Sequence, residues 1–224
     1  MKVLILDSGT IINLSMNGLL YILEKIKKVT SIKILITKYV KQEVVDRPLG
    51  VERFELEALR VQNLIDLGIL EMPESLGISE NELDEKMNEL MNIANHYLQI
   101  NNKWISIVSE AEMSCLAISS ELINRGIENL IGIDERTTRM LCENPINLEK
   151  LMSAKLHQKV SLISRNMTMF APYRFIRSTE LVYIAYKKGL IDIKGKKVLE
   201  ALLYATKFKG SSISFEEINI LKKM

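Results

Sequence analysis

Histidine and cysteine are nearly absent from this chain, with two of each in 224 residues. That scarcity excludes the Cys- and His-rich ligand sets of structural zinc sites and leaves little room for a thiol or imidazole nucleophile. Cys115 and Cys142 lie in stretches that read as helix, and a disulfide framework is not expected. They read as reduced core thiols of a cytoplasmic protein. Proline is also scarce, at four residues, and tryptophan occurs once. No apolar run approaches the ~20 residues needed to span a bilayer. The four apolar residues before Asp7 are too few for a signal peptide.

What is present reads as an α/β protein. Hydrophobic content is 47% with 26% charged residues, ordinary for a globular fold. Short apolar runs at Lys2–Leu6, Ile32–Ile36 and Asn129–Ile133 are of strand length. Helical patterns separate them: Gly9–Lys28, Thr37–Val45, Glu52–Leu67, residues 79–99, Ser109–Arg125 and residues 146–163, then Thr179–Lys188 and Lys196–Phe208. Ser79 with Glu82, Ser109 with Glu112 and Ser214 with Glu217 have capping-box spacing. Strands alternating with helices predict a small, mainly parallel central sheet flanked by helices. Residues 1–149 are expected to form the core, with an acidic helical insertion at about 74–105. Residues 150–224 are expected to add a basic segment and a helical tail to the same domain.

The net charge of +2 conceals a segregation. Glu71–Leu90 holds seven acids against Lys86, whereas Lys150–Thr179 holds no acid at all. That second stretch carries Arg165, Arg174 and Arg177 among its bases, with Phe170, Tyr173 and Phe175 nearby. A basic block with aromatics suits an anionic partner, nucleic acid foremost, although many such blocks are only solvated surface.

The stretch "LILDSGTIINL" ends an apolar strand on Asp7. An aspartate so placed fits three chemistries: a paired-carboxylate protease, a phosphatase with a carboxylate nucleophile, and a metal-dependent nuclease. The first needs an all-β fold and a second Asp-(Ser/Thr)-Gly, which the chain lacks. The second needs an aspartate where Ser8 stands. The third needs hard oxygen ligands for Mg²⁺ or Mn²⁺ gathered at the carboxyl edge of the sheet. Asp7 and Asp134 each follow a strand, Glu43 lies on the helix after the second strand, and Glu112 lies in the first turn of a helix. Glu110 is the rival of Glu112, since residues two apart on a helix face different ways.

Four stretches together, "LILDSGTIINL", "ITKYVKQEVV", "SEAEMSCLAISSEL" with "LIGIDERTTRML", and "STELVYIAYKKGLI", resemble the PIN-domain ribonucleases of archaea and bacteria. The resemblance implies a PIN-like fold and RNA cleavage with Mg²⁺ or Mn²⁺. By position it assigns Asp7, Glu43, Glu112 and Asp134 as metal ligands and catalytic acids. It places Ser8 beside the first acid, and Arg136 and Arg139 where phosphate contacts are expected. It implies RNA as partner, single-stranded or locally unpaired, and admits a protein antitoxin or a second copy of the chain. The 74–105 and 150–177 segments exceed what compact members of the family need. The alternatives are a non-catalytic RNA-binding or assembly protein of the same fold, and a structure-specific DNA nuclease.

Overall fold

The computed structural model describes residues 1–163, 168–170 and 172–224. Strand β1 (Lys2–Leu6) is buried from Val3 onward and leads directly into helix α1 (Ser8–Met16), capped by Asp7. The sequence pattern predicts one helix from Gly9 to Lys28, but Asn17-Gly18 interrupts it. Gly18 takes φ +67°, a left-handed conformation that ends α1 before α2 (Tyr21–Thr30) begins. Strand β2 (Lys33–Leu35) follows, and Thr37 then caps α3 (Lys38–Lys41) by accepting from Val40 N at 3.1 Å. Gln42–Asp46 continues as a π turn rather than regular helix.

Helix α4 (Glu55–Asp66) ends at Leu67 and Gly68, and α5 (Glu80–Asn95) carries the acidic segment. Ser79 makes no side-chain capping bond to α5, so the capping box expected there does not form. Strands β3 (Leu98–Ile100) and β4 (Lys103–Trp104) make a hairpin across Asn101-Asn102, both with positive φ. Helix α6 (Glu110–Asn124) starts on a complete capping box between Ser109 and Glu112 and is buried almost throughout its first half. Then come β5 (Glu128–Gly132), α7 (Arg136–Glu143) and α8 (Leu148–Leu156). Helix α8 is shorter than the expected 146–163, because β6 (Ser161–Leu162) follows it. Strand β7 (Phe175–Ile176) precedes α9 (Ser178–Lys187), α10 (Val198–Phe208) and α11 (Phe215–Lys223).

The main sheet is parallel, in the order β2-β1-β5-β7. Helices flank it, as a parallel sheet with two apolar faces requires. Close approach is needed where β1 meets β5: a Cβ on Gly132 would lie 2.8 Å from Leu6 Cδ2. The carboxyl-terminal segment is integral to this body, since β7 completes the sheet beside β5. A second, antiparallel sheet in the order β4-β3-β6 joins the acidic segment to the basic one through Leu98↔Leu162 and Gln99↔Ser161. The two segments are therefore joined through uncharged residues. One buried core runs from Val3 to Leu202, and Leu203, Ile213 and Ile218 form a smaller one under α10 and α11. No helix among the described residues is long and apolar enough to cross a membrane.

Candidate functional site

The carboxyl ends of β1 and β5 carry Asp7 and Asp134, held together because Asp7 N donates to Gly132 O at 3.0 Å. Gly9 lies between them: a Cβ there would sit 3.4 Å from Asp7 Oδ2 and 4.0 Å from Asp134 Cβ. Asp7 is only 3% exposed. Its Oδ2 accepts from Gly9 N at 3.2 Å, but its buried Oδ1 has no partner among the described residues. A buried carboxylate so poorly satisfied resists ionisation. Burial pushes its pKa up to about 7, the charges of Glu112 and Glu43 push the same way, and the amides of Gly9 and Ser8 oppose them.

The other acids approach from separate elements. Glu112 is buried at the third position of α6, where Ser109 N donates to its Oε2 at 2.7 Å. Its pKa is raised by burial first, with Glu135 adding to the effect against hydrogen bonds from Ser109 and Thr138. Glu110 is exposed on the other side of the helix. Glu43 is half-buried on the π turn, whose extra residue resets the direction of the side chains that follow α3. Cys115 lies close behind: its Sγ faces Leu6 O at 3.8 Å, and burial raises its pKa first, then Asp7, Glu112 and Glu43.

Asp134 is committed within the fold. Its Oδ1 accepts from Ser178 N at 2.8 Å, at the start of α9, and its Oδ2 from Asn13 Nδ2 at 2.9 Å, on α1. Asn13 Nδ2 also donates to Thr206 O at 2.8 Å, tying α10 into the same knot. Asn13 is absent from the sequence-derived site, although a fully buried asparagine amid the apolar residues of α1 marks a place where a polar partner must exist. Glu135, the neighbour of Asp134, caps α7 by accepting from Thr138 N at 3.0 Å. Asp7, Glu43 and Glu112 thus interact electrostatically, with Asp134 alongside. They do not form a closed cage: among the described residues no three His, Cys, Asp or Glu side chains are gathered as a ready-made metal group.

The remaining assigned residues divide. Ser8 is buried in the first turn of α1. Arg136 is exposed at the start of α7, and Arg139 donates to Ser212 Oγ at 3.3 Å and to Glu143 at 3.4 Å. Both line a cleft of about 540 Å³ with Arg177, Lys207, Ser211 and Ser212. Arg177, expected to face RNA, is instead 7% exposed and pairs with Glu180 at 2.6 Å and Glu217 at 2.9 Å. Arg174 stands just before β7, beside Glu128 and Asn129 at the amino edge of the sheet, the edge opposite the acids. Arg165 lies outside the described residues. Arg174 and Arg177 therefore do not share one surface at the acidic edge. Ser212, whose N donates to Asp134 O at 3.2 Å, does border that edge, and it carries no sequence motif. No family model, curated protein or solved structure matches the chain.

Proposed function

We propose that this chain is a divalent-metal-dependent endoribonuclease of the PIN type, acting in the cytoplasm. The observation that carries the reading is Asp7: a buried carboxylate with one unpartnered oxygen, at the carboxyl edge of a parallel sheet, with Glu112 and Glu43 close enough to help raise its pKa to about 7. Such a charge arrangement opposes folding unless a cation relieves it. The donors are all carboxylate oxygens, which suit Mg²⁺ or Mn²⁺. Asp7 would supply the central ligand, with Glu43, Glu112 and Asp134 around it. The metal, when bound, would activate water and stabilise the leaving oxygen of a phosphodiester. Burial raises the Asp7 pKa to about 7, and its Oδ1, without a partner among the described residues, would be the atom offered to a cation. Arg136 and Arg139, in the cleft that begins beside Asp134, would orient the phosphate backbone.

A second reading, a non-catalytic RNA-binding protein of the same fold, is favoured by one observation. Both oxygens of Asp134 and one of Glu112 already accept hydrogen bonds within the protein. The deciding experiment is incubation of unstructured RNAs with Mn²⁺, parent against Asp7→Asn, alongside thermal melting with and without metal. Nuclease action requires chelator-sensitive cleavage by the parent, none by Asp7→Asn, and a metal-dependent rise in melting temperature. RNA binding with neither cleavage nor a metal-dependent shift would establish the second reading.

A further inference from the structure

We infer that the corner formed by α10 and α11 is the seat of a single-stranded RNA segment leading to the acidic edge, with its phosphates in the Arg139–Lys207 cleft and its bases on an exposed aromatic platform. The inference rests on the nuclease reading for the identity of the polymer, and its own support is geometric.

Tyr204 and Phe208 on α10 and Phe215 on α11 form a triangle of rings with centroids 6.2–6.4 Å apart. Phe208 is 73% exposed and Phe215 53%. Two neighbouring phenylalanines this exposed, beside a half-buried Tyr204, are costly to maintain as bare surface. Lysines reach the rings: Lys207 Nζ lies 4.3 Å from the Phe215 ring centroid, and Lys222 Nζ, which also pairs with Glu200, lies 6.0 Å from that of Tyr204. Rings interleaved with cations are the pattern that stacks unpaired bases while neutralising their backbone.

The platform continues into the cleft through Lys207, which both faces Phe215 and lines the cavity. Four bases line that cavity against Glu143 and Glu217. Those acids pair with Arg139 and Arg177, and Arg177 also pairs with Glu180, so the cations of the cleft not held by a carboxylate among the described residues are Arg136 and Lys207. Arg139 Nε, Arg177 Nε and Ser211 Oγ are buried there without partners among the described residues, and Arg177 and Ser211 are both more than nine-tenths buried. Those atoms have no exposed surface, so contact with a phosphate falls to Arg136, which is exposed at the cleft and pairs with no carboxylate among the described residues. The far wall of the cleft touches the acidic edge, since Ser212 N donates to Asp134 O at 3.2 Å. Charge complementarity favours a polyanion over a second copy of this chain, whose matching patch would bring the same lysines face to face.

The test is fluorescence anisotropy with a short labelled oligouridylate in chelator, so that binding is read without cleavage. Phe208→Ala/Phe215→Ala should weaken binding about tenfold or more with the salt slope unchanged, because stacking is lost and charge is not. Arg136→Ala should instead flatten the slope of log affinity against log salt by about 0.7, the signature of one lost phosphate contact to a single strand. Both rings are exposed, so the double variant should melt like the parent. Parental affinity in that variant would overturn the inference. So would sedimentation showing a parental dimer that the double variant dissolves while RNA affinity stays fixed. Loss of binding in the double variant from a parent that never cleaves would uphold the docking surface and refute only the nuclease reading.

Discussion

Replacing Asp7 with asparagine should stabilise the metal-free protein at alkaline pH, the opposite of what loss of a buried, bonded carboxylate usually does. The folded chain holds the Asp7 proton to about pH 7, against 3.8 for a free carboxylate. Between those values the native state binds more protons than the unfolded one, so stability falls as pH rises through the window. At ~1.36 kcal/mol per pH unit, the full cost above pH 7 has a ceiling of about 4 kcal/mol. The substituted side chain would carry no charge, and its amide carbonyl can still accept from Gly9 N. Local relaxation takes part of the ceiling, and a gain of about 2 kcal/mol corresponds to a rise in Tm of roughly 4–8 °C for a chain of this size. The assay is thermal melting of parent and Asp7→Asn from pH 4 to pH 8 in chelator. The two curves should converge near pH 4, diverge steadily from there to about pH 7, and run parallel above it. Millimolar Mn²⁺ should then lift the parent alone. A variant less stable than the parent at pH 8, or with the same pH dependence, would refute the account of Asp7 as a strained carboxylate awaiting a cation.

Glu112→Gln should reduce the metal-induced stabilisation, since it removes a charge close to Asp7, whereas Glu110→Gln, exposed on α6, should leave it unchanged; titration with Mn²⁺ by melting temperature separates them. Glu71 is partly buried, which raises its pKa, but hydrogen bonds from Lys27 and Lys33 prevail and bring it down to about 2. Its contribution is therefore complete above pH 4.5 and lost as pH falls towards 2. Glu71→Gln should cost about 1–3 kcal/mol at neutral pH, by urea denaturation, and almost nothing at pH 2. Gly132→Ala should destabilise by about 1–3 kcal/mol, because the new Cβ meets the fully buried Leu6 at 2.8 Å where β1 and β5 bring Asp7 and Asp134 together. A neutral result in chemical denaturation would show that this junction is loosely packed.

Most helix caps were legible in the sequence, whereas the local break at Asn17-Gly18 was read as continuous helix. Thr37, Ser109 and Ser214 cap the helices their spacing indicates, because a cap bond closes over three residues and needs no distant partner. Ser79 has the same spacing and does not cap, so the pattern gives the opportunity and the packing of α5 decides its use. The apolar runs that became β1, β2 and β5 were visible because a parallel strand buried on both faces cannot hide its composition. Strands β3, β4, β6 and β7 were not. They are two or three residues long and exist only through distant partners, such as Leu162 opposite Leu98.

The sequence by itself determined that an acid follows each of two buried strands, which places Asp7 and Asp134 at one sheet edge once those strands run parallel side by side. Tertiary structure decided which charges stay available there. It brought Ser178 and Asn13 onto Asp134, folded Arg177 inward onto Glu180 and Glu217, sent Arg174 to the opposite edge, and set Ser212 beside Asp134. A side chain's charge is a local property, but its freedom depends on what desolvates it and what neutralises it. Both come from residues far away in the chain.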